Sequence, residues 1–264
     1  MIIAYYRYTP GGSNTHRPEW FSKKLCLESF LNACREFRKK YPGSLRIIFA
    51  IDNNRGLSTQ EKSFLKKYRS NRFTDTKFLR TNGNTLSYRE VFEMGIKNRN
   101  KDIILFAEDD YLWRPTSIVE MFTALQTIPC DYITPYDHPV RYDWNFKGGP
   151  DLPHWENRIF CTGSSHFRPQ ESTCMTFMSR AKTLKEDKYA HFLFSPEGKN
   201  CPNDRELFRF LQGLGPYKNE VKNRRLLVGP IPSLATHVHK QFLAPAINWK
   251  NELKLVKQWR RKLT

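Results

Sequence analysis

Apolar residues in the first half of this chain form short continuous runs that alternate with segments of helical spacing. The predicted strands are 2–8, 45–54 (ending on Asp52), 77–84 (a strand and turn), 103–107 and 131–135. The predicted helices are 18–40, 58–68, 87–98 and 115–125. Because parallel strands need a long crossover connection, usually a helix, this alternation predicts an α/β fold with a mostly parallel central sheet flanked by helices. Ligands bind such sheets beyond the carboxyl ends of the strands.

The second half of the chain has a weaker pattern. Residues 136–175 are rich in Gly, Pro, His and Trp, which predicts a loop-rich insertion that shapes a pocket. Further elements are predicted at 172–180 (strand), 203–212 (helix), 226–239 (strand and loop) and 247–264 (basic amphipathic helix). We expect all of these elements to belong to a single domain.

Local signals predict where three of the helices begin. Either Ser58 or Thr59 is expected to open its helix, with Glu61 close behind, and Glu90 follows Ser87 by three residues, which is typical of a capping box. Pro115 is expected in the first turn of its helix, because a backbone N–H at that position would have no partner within the helix and proline lacks one.

The segment IILFAEDDYLWRP, residues 103–115, places three consecutive acids at the end of a buried strand. Glu108, Asp109 and Asp110 repel one another, so the cluster predicts a bound cation, and oxygen ligands favour a divalent metal. Asp52 also ends a predicted strand, which puts it at the same edge of a parallel sheet. The alternative is an acidic cap on the next helix.

Composition and charge indicate a folded protein that attracts anions. The chain has 264 residues, of which 39% are hydrophobic, and a formal net charge of +18. This charge predicts a polyanionic partner such as nucleic acid, an anionic membrane or a phosphorylated substrate, with a role in solubility as the alternative.

Other features of the composition bear on location. No apolar run approaches the ~20 residues of a membrane span, and the first residues are predicted to be a strand and not a signal peptide. The six cysteines form no Cys-x-x-Cys pair, so free thiols in the reducing cytoplasm are expected.

The stretch GIKNRNKDIILFAEDD, residues 95–110, resembles the core of GT-A glycosyltransferases, particularly those of family 2. In that family, a strand ending in a DxD motif follows a Gly-Ile segment, and an Asn/Gly turn similar to 82–84 comes earlier in the chain. The resemblance covers about the first 135 residues in order and weaker pieces to about residue 240. It implies the Rossmann-like GT-A fold with a nucleotide-diphospho-sugar-binding half (1–135), an acceptor and catalytic half (136–246) and the basic tail.

The resemblance also implies roles for the acids. Asp110 takes the last DxD position and is expected to bind Mn²⁺ or Mg²⁺, which bridges the donor's diphosphate. Glu108, where the family motif has Asp, is expected near the ribose or the metal. The implied nucleotide-contacting residues are Thr9, Pro10, Asp52, Arg80 and Asp109, each with an ordinary loop role as the alternative.

Two later motifs complete the implied site. PNDRELFRFL, 202–211, resembles the helix start where inverting members hold the catalytic base, and Asp204 matches that acid; a helix cap is the alternative role. THVH, 236–239, resembles the C-terminal segment whose histidine completes the metal site. We expect His237 and His239 to face opposite sides, so that one reaches the metal, with a structural role as the alternative.

The loop 161–173 lies where the family keeps its acceptor loop. Aromatic residues in and before it are expected to stack on a sugar or base, with core packing as the alternative. These residues are Trp144, His154, Trp155 and His166.

The function implied is transfer of a hexose or pentose from a UDP- or GDP-sugar to an acceptor hydroxyl, with a metal and with inversion. The charge favours a polyanionic acceptor, either DNA with a hydroxylated base or an anionic surface or lipid-linked glycan. One alternative is a nucleotidyltransferase, which would use TPGGSNTHR, 9–17, as a phosphate loop. Another is a non-catalytic nucleic-acid-binding protein, which would leave the acids at the strand ends unexplained.

Overall fold

A computed structural model of the protein describes residues 1–11, 15–52, 56–69, 73–81, 83–142 and 158–261. The predictions for Asn82, Trp144, His154 and Trp155 lie outside these residues. The chain forms two compact units, the first made of 1–13, 43–109 and 172–225 and the second of 14–42, 110–171 and 226–264. The predicted division of roles among 1–135, 136–246 and 247–264 stays a prediction.

Within its described residues, the first unit contains five strands and five α-helices. The strands are β1 (Ile2–Tyr8), β2 (Leu45–Asp52), β3 (Thr74–Leu79), β4 (Ile103–Glu108) and β9 (Phe177–Arg180). The helices are α2 (Thr59–Arg69), α3 (Gly83–Ile96), α5 (Ala181–Glu186), α6 (Lys188–Leu193) and α7 (Asp204–Gln212). The strand order is β3-β2-β1-β4-β9, with the first four parallel and β9 antiparallel to β4. The predicted α/β class is confirmed.

Apolar side chains on both faces of β1, β2 and β4 form the core of the first unit. Tyr6, Phe49 and Ile104 are fully buried, as expected for parallel strands covered on both sides. Helix α3 approaches β4 closely at Gly95, where an added Cβ would lie 2.8 Å from the ring of Phe106. This contact explains why a glycine stands there.

The part of the second unit that the structure describes contains six strands and three α-helices. The strands are β5 (Tyr111–Trp113), β6 (Tyr132–Ile133), β7 (Phe160–Cys161), β8 (His166–Pro169), β10 (Leu227–Ile231) and β11 (Ala235–His237). The helices are α1 (Lys23–Lys40), α4 (Ser117–Thr127) and α8 (Trp249–Arg261). Within the unit, β6-β10-β8-β7 are neighbours in that order, and β5 pairs antiparallel with β11.

The core of the second unit lies between α1 and β5. Trp113 is fully buried and meets Phe30 of α1 edge to face, with ring centroids 5.5 Å apart. Its backbone N–H donates to the hydroxyl of Ser29 at 3.0 Å. The strand β5 was not predicted, because its three residues follow the acids without a turn signal.

Two predicted helix starts differ from the structure. Helix α1 begins at Lys23 and not at Pro18, because the N–H of Phe21 bonds to the Pro18 carbonyl and closes a turn before the helix. Helix α4 begins at Ser117 with Thr116 as its N-cap, so Pro115 precedes the helix.

One capping box is confirmed and the other is wrong. The Ser58 N–H donates to Glu61 at 2.9 Å and the Glu61 N–H donates to the Ser58 hydroxyl at 3.2 Å. Ser87 lies inside α3, and its hydroxyl donates to the Asn84 carbonyl. Glu90 instead accepts a hydrogen bond from the backbone N–H of Arg80 at 3.0 Å.

The tail forms the amphipathic helix α8, which begins at Trp249 and not at 247. Trp249, Leu253 and Val256 are buried, at the spacing of one helical face. No helix in the described part of the chain is long and apolar enough to cross a membrane.

Candidate active site

A buried ion pair joins the ends of two neighbouring strands in the first unit. Arg7 on β1 and Glu108, the last residue of β4, are register partners, and the Arg7 guanidinium donates to the Glu108 carboxylate. Arg7 also donates to the Asn84 carbonyl at 2.8 Å and to the Ser87 hydroxyl at 3.1 Å. Arg7 thereby fixes Glu108 against the first turn of α3, at the carboxyl edge of the sheet.

The second oxygen of Glu108 is also engaged. The Thr176 hydroxyl donates to it at 3.2 Å, and the backbone N–H of Glu108 lies 3.2 Å from the same hydroxyl. Glu108 therefore has a fixed orientation in this structure. Its role as a metal or ribose contact stays a prediction.

Asp109 holds the loop that follows β1. Its carboxylate accepts the backbone N–H of Thr9 at 2.8 Å and is only 8% exposed. Just before this loop, the hydroxyl of Tyr8, the last residue of β1, donates to Glu61 at 2.7 Å. The pKa of Tyr8 is raised, first by burial and then by its hydrogen bond to Glu61, so the phenol keeps its proton.

The remaining predicted nucleotide contacts lie at the same edge of the first unit. Pro10 is buried in the loop after β1, and Asp52 is the last residue of the neighbouring strand β2 and is 4% exposed. Arg80 comes just after β3 and its side chain is exposed. The parallel strands thus bring these three positions, together with Thr9, to one edge.

Asp204 is the first residue of α7 but not its cap. Asn203 is the N-cap, and its side chain accepts the N–H of Glu206 at 3.5 Å. Asp204 accepts the N–H of Arg205 at 2.7 Å and a hydrogen bond from the Cys174 thiol. The capping role therefore belongs to Asn203 and leaves Asp204 available for chemistry.

The environment of Asp204 raises its pKa to about 6. Burial is the main cause, since it disfavours the charged form, and the negative charge of Glu108 adds to it. Hydrogen bonds from the Arg205 N–H and the Cys174 thiol act in the opposite direction. A carboxylate with this pKa is a better proton acceptor near neutral pH than an ordinary aspartate.

The second unit contains a separate cluster around Asp110. The Arg17 guanidinium donates to Asp110 Oδ2 at 2.7 Å, and His237 Nε2 lies 3.1 Å from the same oxygen. Burial acts to raise the pKa of Asp110, but His237 and Arg17 outweigh it and hold this pKa well below its usual range. Asp110 is therefore ionised at neutral pH.

The two histidines lie on the same side, so the prediction that they face opposite sides is wrong. Residues two apart in an extended chain share a face, and the rings of His237 and His239 are stacked with centroids 6.0 Å apart. His237 contacts Asp110, whereas His239 stacks on Phe242 at 4.6 Å. Burial, followed by the neighbouring His237, lowers the pKa of His239.

The carboxylate oxygen of Asp110 and the imidazole nitrogen of His237 are suitable ligands for a divalent metal whose remaining ligands come from the substrate. No group of three or more His, Cys, Asp or Glu side chains is placed to hold a metal within the described ranges. Mg²⁺ and Mn²⁺ in phosphate-transferring sites take only one or two protein carboxylates and obtain other ligands from phosphates and water. One carboxylate and one imidazole therefore fit this class of site.

Sequence reasoning did not predict that arginines pair with these acids, and it considered Arg17 only as part of the alternative phosphate loop 9–17. Arg7 gave a signal, since it is the one charged residue in the apolar strand IIAYYRY. The pairing of Arg17 with Asp110 gave no signal, because Arg17 lies in a polar loop 93 positions away from its partner. His166, predicted to stack on a ligand, is an exposed residue at the start of β8.

The architecture is that of a GT-A glycosyltransferase fold, with acids at the carboxyl ends of its parallel strands. Among solved structures, the chain is similar to S. aureus TarS 1-349 in complex with UDP, with 14% identity, 80% of this chain and 54% of that chain covered, and a TM-score of 0.50. A second structure of S. aureus TarS 1-349 aligns over the same shares of both chains, at 12% identity and a TM-score of 0.48. The galactosyltransferase LgtC, in complex with donor and acceptor sugar analogs, gives 10% identity, 79% and 69% coverage, and a TM-score of 0.40.

These likenesses concern the fold alone. The chain spans about half the length of the TarS 1-349 chains, at 54%. No protein-family model matches the sequence, and no curated protein matches it.

Proposed function

We propose that the protein is a metal-dependent glycosyltransferase that moves a sugar from a UDP- or GDP-sugar to an acceptor hydroxyl with inversion. The observation that carries the proposal is Asp204, a half-buried acid with a raised pKa, in the same unit as the acids at the carboxyl edge of the parallel strands. The likeness to a UDP-bound structure supports the fold that this activity needs.

The nucleotide is assigned to the carboxyl edge of β1 and β2. Thr9 and Pro10 follow β1 directly, Asp52 ends β2, and the two strands are register neighbours. Asp109 fixes the backbone of the Thr9 loop, so the loop has a set shape before the ligand arrives. Arg80, exposed after β3, is assigned to a phosphate or to the nucleotide.

Asp110 and His237 are the residues that would hold the metal, Mn²⁺ or Mg²⁺. When bound, the ion would supply positive charge to the diphosphate as it leaves. The low pKa of Asp110 keeps a full negative charge at this position across the physiological range.

Asp204 is assigned the role of general base. Its carboxylate takes the proton of the acceptor hydroxyl while the hydroxyl oxygen bonds to the anomeric carbon of the sugar. The bond from that carbon to the diphosphate oxygen breaks, and the nucleoside diphosphate leaves with its electron pair. Attack from the face opposite the leaving group inverts the anomeric configuration.

The pH dependence of kcat/KM tests the role of Asp204. Only the ionised carboxylate accepts a proton, so activity is expected to rise with pH through an apparent pKa of about 6 and to fall below it. Replacing Cys174 with Ala removes a hydrogen bond that lowers this pKa, so the acid limb is expected to move to higher pH. Cys161→Ala, at an exposed cysteine, is the control; an acid limb that Cys174→Ala leaves in place would remove the link to Asp204.

A polyanionic acceptor is assigned from the charge. The chain carries a formal +18, and Lys250, Lys254 and Lys257 are exposed on α8, away from its buried face. The candidates remain DNA with a hydroxylated base and an anionic surface or lipid-linked glycan. The side chains of Arg260 and Arg261, and Lys262 as a whole, lie outside the described part of the structure.

Changing Lys250, Lys254 and Lys257 to Gln is expected to weaken binding of duplex DNA or anionic vesicles. For duplex DNA, each lost phosphate contact makes the fall of log K with log[salt] shallower by roughly 0.9. The matched control replaces Lys62, Lys66 and Lys67, three exposed lysines of α2. Equal losses in both triple variants would mean that net charge, and not the face of α8, attracts the polyanion.

A further inference from the structure

Arg17 contacts both residues assigned to the metal, whose nearest atoms, Asp110 Oδ2 and His237 Nε2, lie 3.1 Å apart. One guanidinium nitrogen donates to Asp110 Oδ2 at 2.7 Å, and the other lies 3.2 Å from His237 Nε2. The second nitrogen also donates to the Val238 carbonyl at 2.6 Å, and the guanidinium lies over the Phe21 ring at 4.9 Å. Five groups of the second unit, Arg17 included, thus form one connected cluster.

A divalent ion and this guanidinium compete for the same atoms. A metal held by Asp110 Oδ2 and His237 Nε2 would bind the same oxygen and nitrogen that Arg17 contacts. Two positive charges held this close also repel strongly, because water is largely excluded at a position where both side chains are about one-fifth exposed. Arg17 and the metal therefore cannot occupy the pair together.

Arg17 has its own contacts in this position, and the metal alone offers no compensation for their loss. The Val238 carbonyl and the Phe21 ring hold the guanidinium independently of Asp110. The donor's diphosphate does offer compensation, since a guanidinium forms paired hydrogen bonds with phosphate oxygens.

We propose that Arg17 is the resident cation of the Asp110–His237 pair and that it moves to the donor's diphosphate when the metal binds. This inference rests on the proposed function. Its consequence is positive coupling: the metal binds weakly to the free protein and tightly together with the nucleoside diphosphate, because the diphosphate gives Arg17 a new partner. The coupling depends on Arg17 and not only on direct contact between metal and phosphate.

The test measures Mn²⁺ affinity, by electron paramagnetic resonance of the free ion, with and without UDP and with and without GDP. Without nucleotide, Arg17→Gln is expected to bind Mn²⁺ at least about tenfold more tightly than the unmodified protein, within the usual range of coupling between sites. With the nucleoside diphosphate that binds, the difference is expected to shrink or reverse, since the variant lacks the phosphate contact. Asp110→Asn is expected to remove Mn²⁺ binding from both backgrounds.

Two further variants keep the result interpretable. Arg17→Lys retains the charge but cannot reach Asp110, His237 and the Val238 carbonyl together, so intermediate Mn²⁺ affinity is expected. Arg114→Gln breaks another partly buried ion pair of the second unit, with Glu252 at 3.3 Å, and is expected to leave Mn²⁺ affinity unchanged. Circular dichroism confirms that each variant is folded.

Equal Mn²⁺ affinity of folded Arg17→Gln and the unmodified protein, without nucleotide, would overturn the inference. So would an absence of Mn²⁺ binding to Arg17→Gln. Calorimetric titration of the unmodified protein with UDP and GDP separates this failure from that of the proposed function. Nucleotide binding without Arg17-dependent metal coupling rejects only the exchange, whereas no nucleotide binding at all rejects the donor assignment.

Discussion

Replacing Asp110 with Asn is expected to reduce sugar transfer by at least ~10²–10³-fold, the usual cost of losing a charge-stabilising group at a leaving oxyanion. The amide keeps the size of the side chain but loses the negative charge that would hold the metal. EDTA is expected to inhibit the unmodified protein in the same way, and added Mn²⁺ is expected to restore it. Transfer rates with saturating donor measure both effects.

Glu252→Gln is the matched control for Asp110→Asn. Glu252 is also a partly buried acid of the second unit that is paired with an arginine, Arg114. Its loss is expected to affect stability slightly and transfer very little. Full activity of the unmodified protein in EDTA would contradict the assignment of a metal to Asp110.

Replacing Asp204 with Asn is expected to lower turnover by ~10²–10⁴-fold, the usual contribution of a general base. The fold and the donor site should persist, because Asn203 and not Asp204 caps α7. Donor affinity, measured by titration calorimetry, is therefore expected to stay near that of the unmodified protein. The acid limb near pH 6 should disappear from any residual activity.

Glu206→Gln provides the control on the same helix turn. Glu206 is paired with Arg209 at 3.0 Å and accepts the Tyr217 hydroxyl at 2.9 Å, and neither contact involves Asp204. Its turnover should remain close to normal. A collapse of donor affinity in Asp204→Asn, or retention of the anomeric configuration in the product by NMR, would contradict the base role.

The sheet and its acidic edge were predictable because they depend on local pattern. Continuous apolar runs mark strands buried on both faces, and an acid directly after such a run must lie at the strand's end, as Glu108 and Asp52 do. The position of Asp204 at a helix start was also predictable, because a Pro-Asn-Asp segment before a helical pattern marks such a start.

The partners of those acids were not predictable in the same way. Arg7 and Glu108 are 101 positions apart, and Arg17 and Asp110 are 93 apart, so only the folded chain shows which arginine neutralises which acid. The sequence suggested a metal as the missing positive charge. The structure places a guanidinium at each of these acids.

The predicted start of α3 was wrong for a related reason. Ser87 and Glu90 have the spacing of a capping box, but the helix begins one turn earlier at Gly83, whose φ of +82° suits a glycine. Glu90 is then used by the segment before the helix, through the N–H of Arg80. Spacing alone does not distinguish a cap from a residue within the first turns.

The most direct test of the proposed activity is to incubate the purified protein with a panel of UDP- and GDP-sugars and Mn²⁺ and to separate the released products by ion-exchange chromatography. Release of UDP or GDP from at least one donor, lost in Asp110→Asn, is the expected result. Release of pyrophosphate would instead indicate a nucleotidyltransferase. If the protein neither binds nor turns over any of the sugar nucleotides, that result contradicts the proposed function.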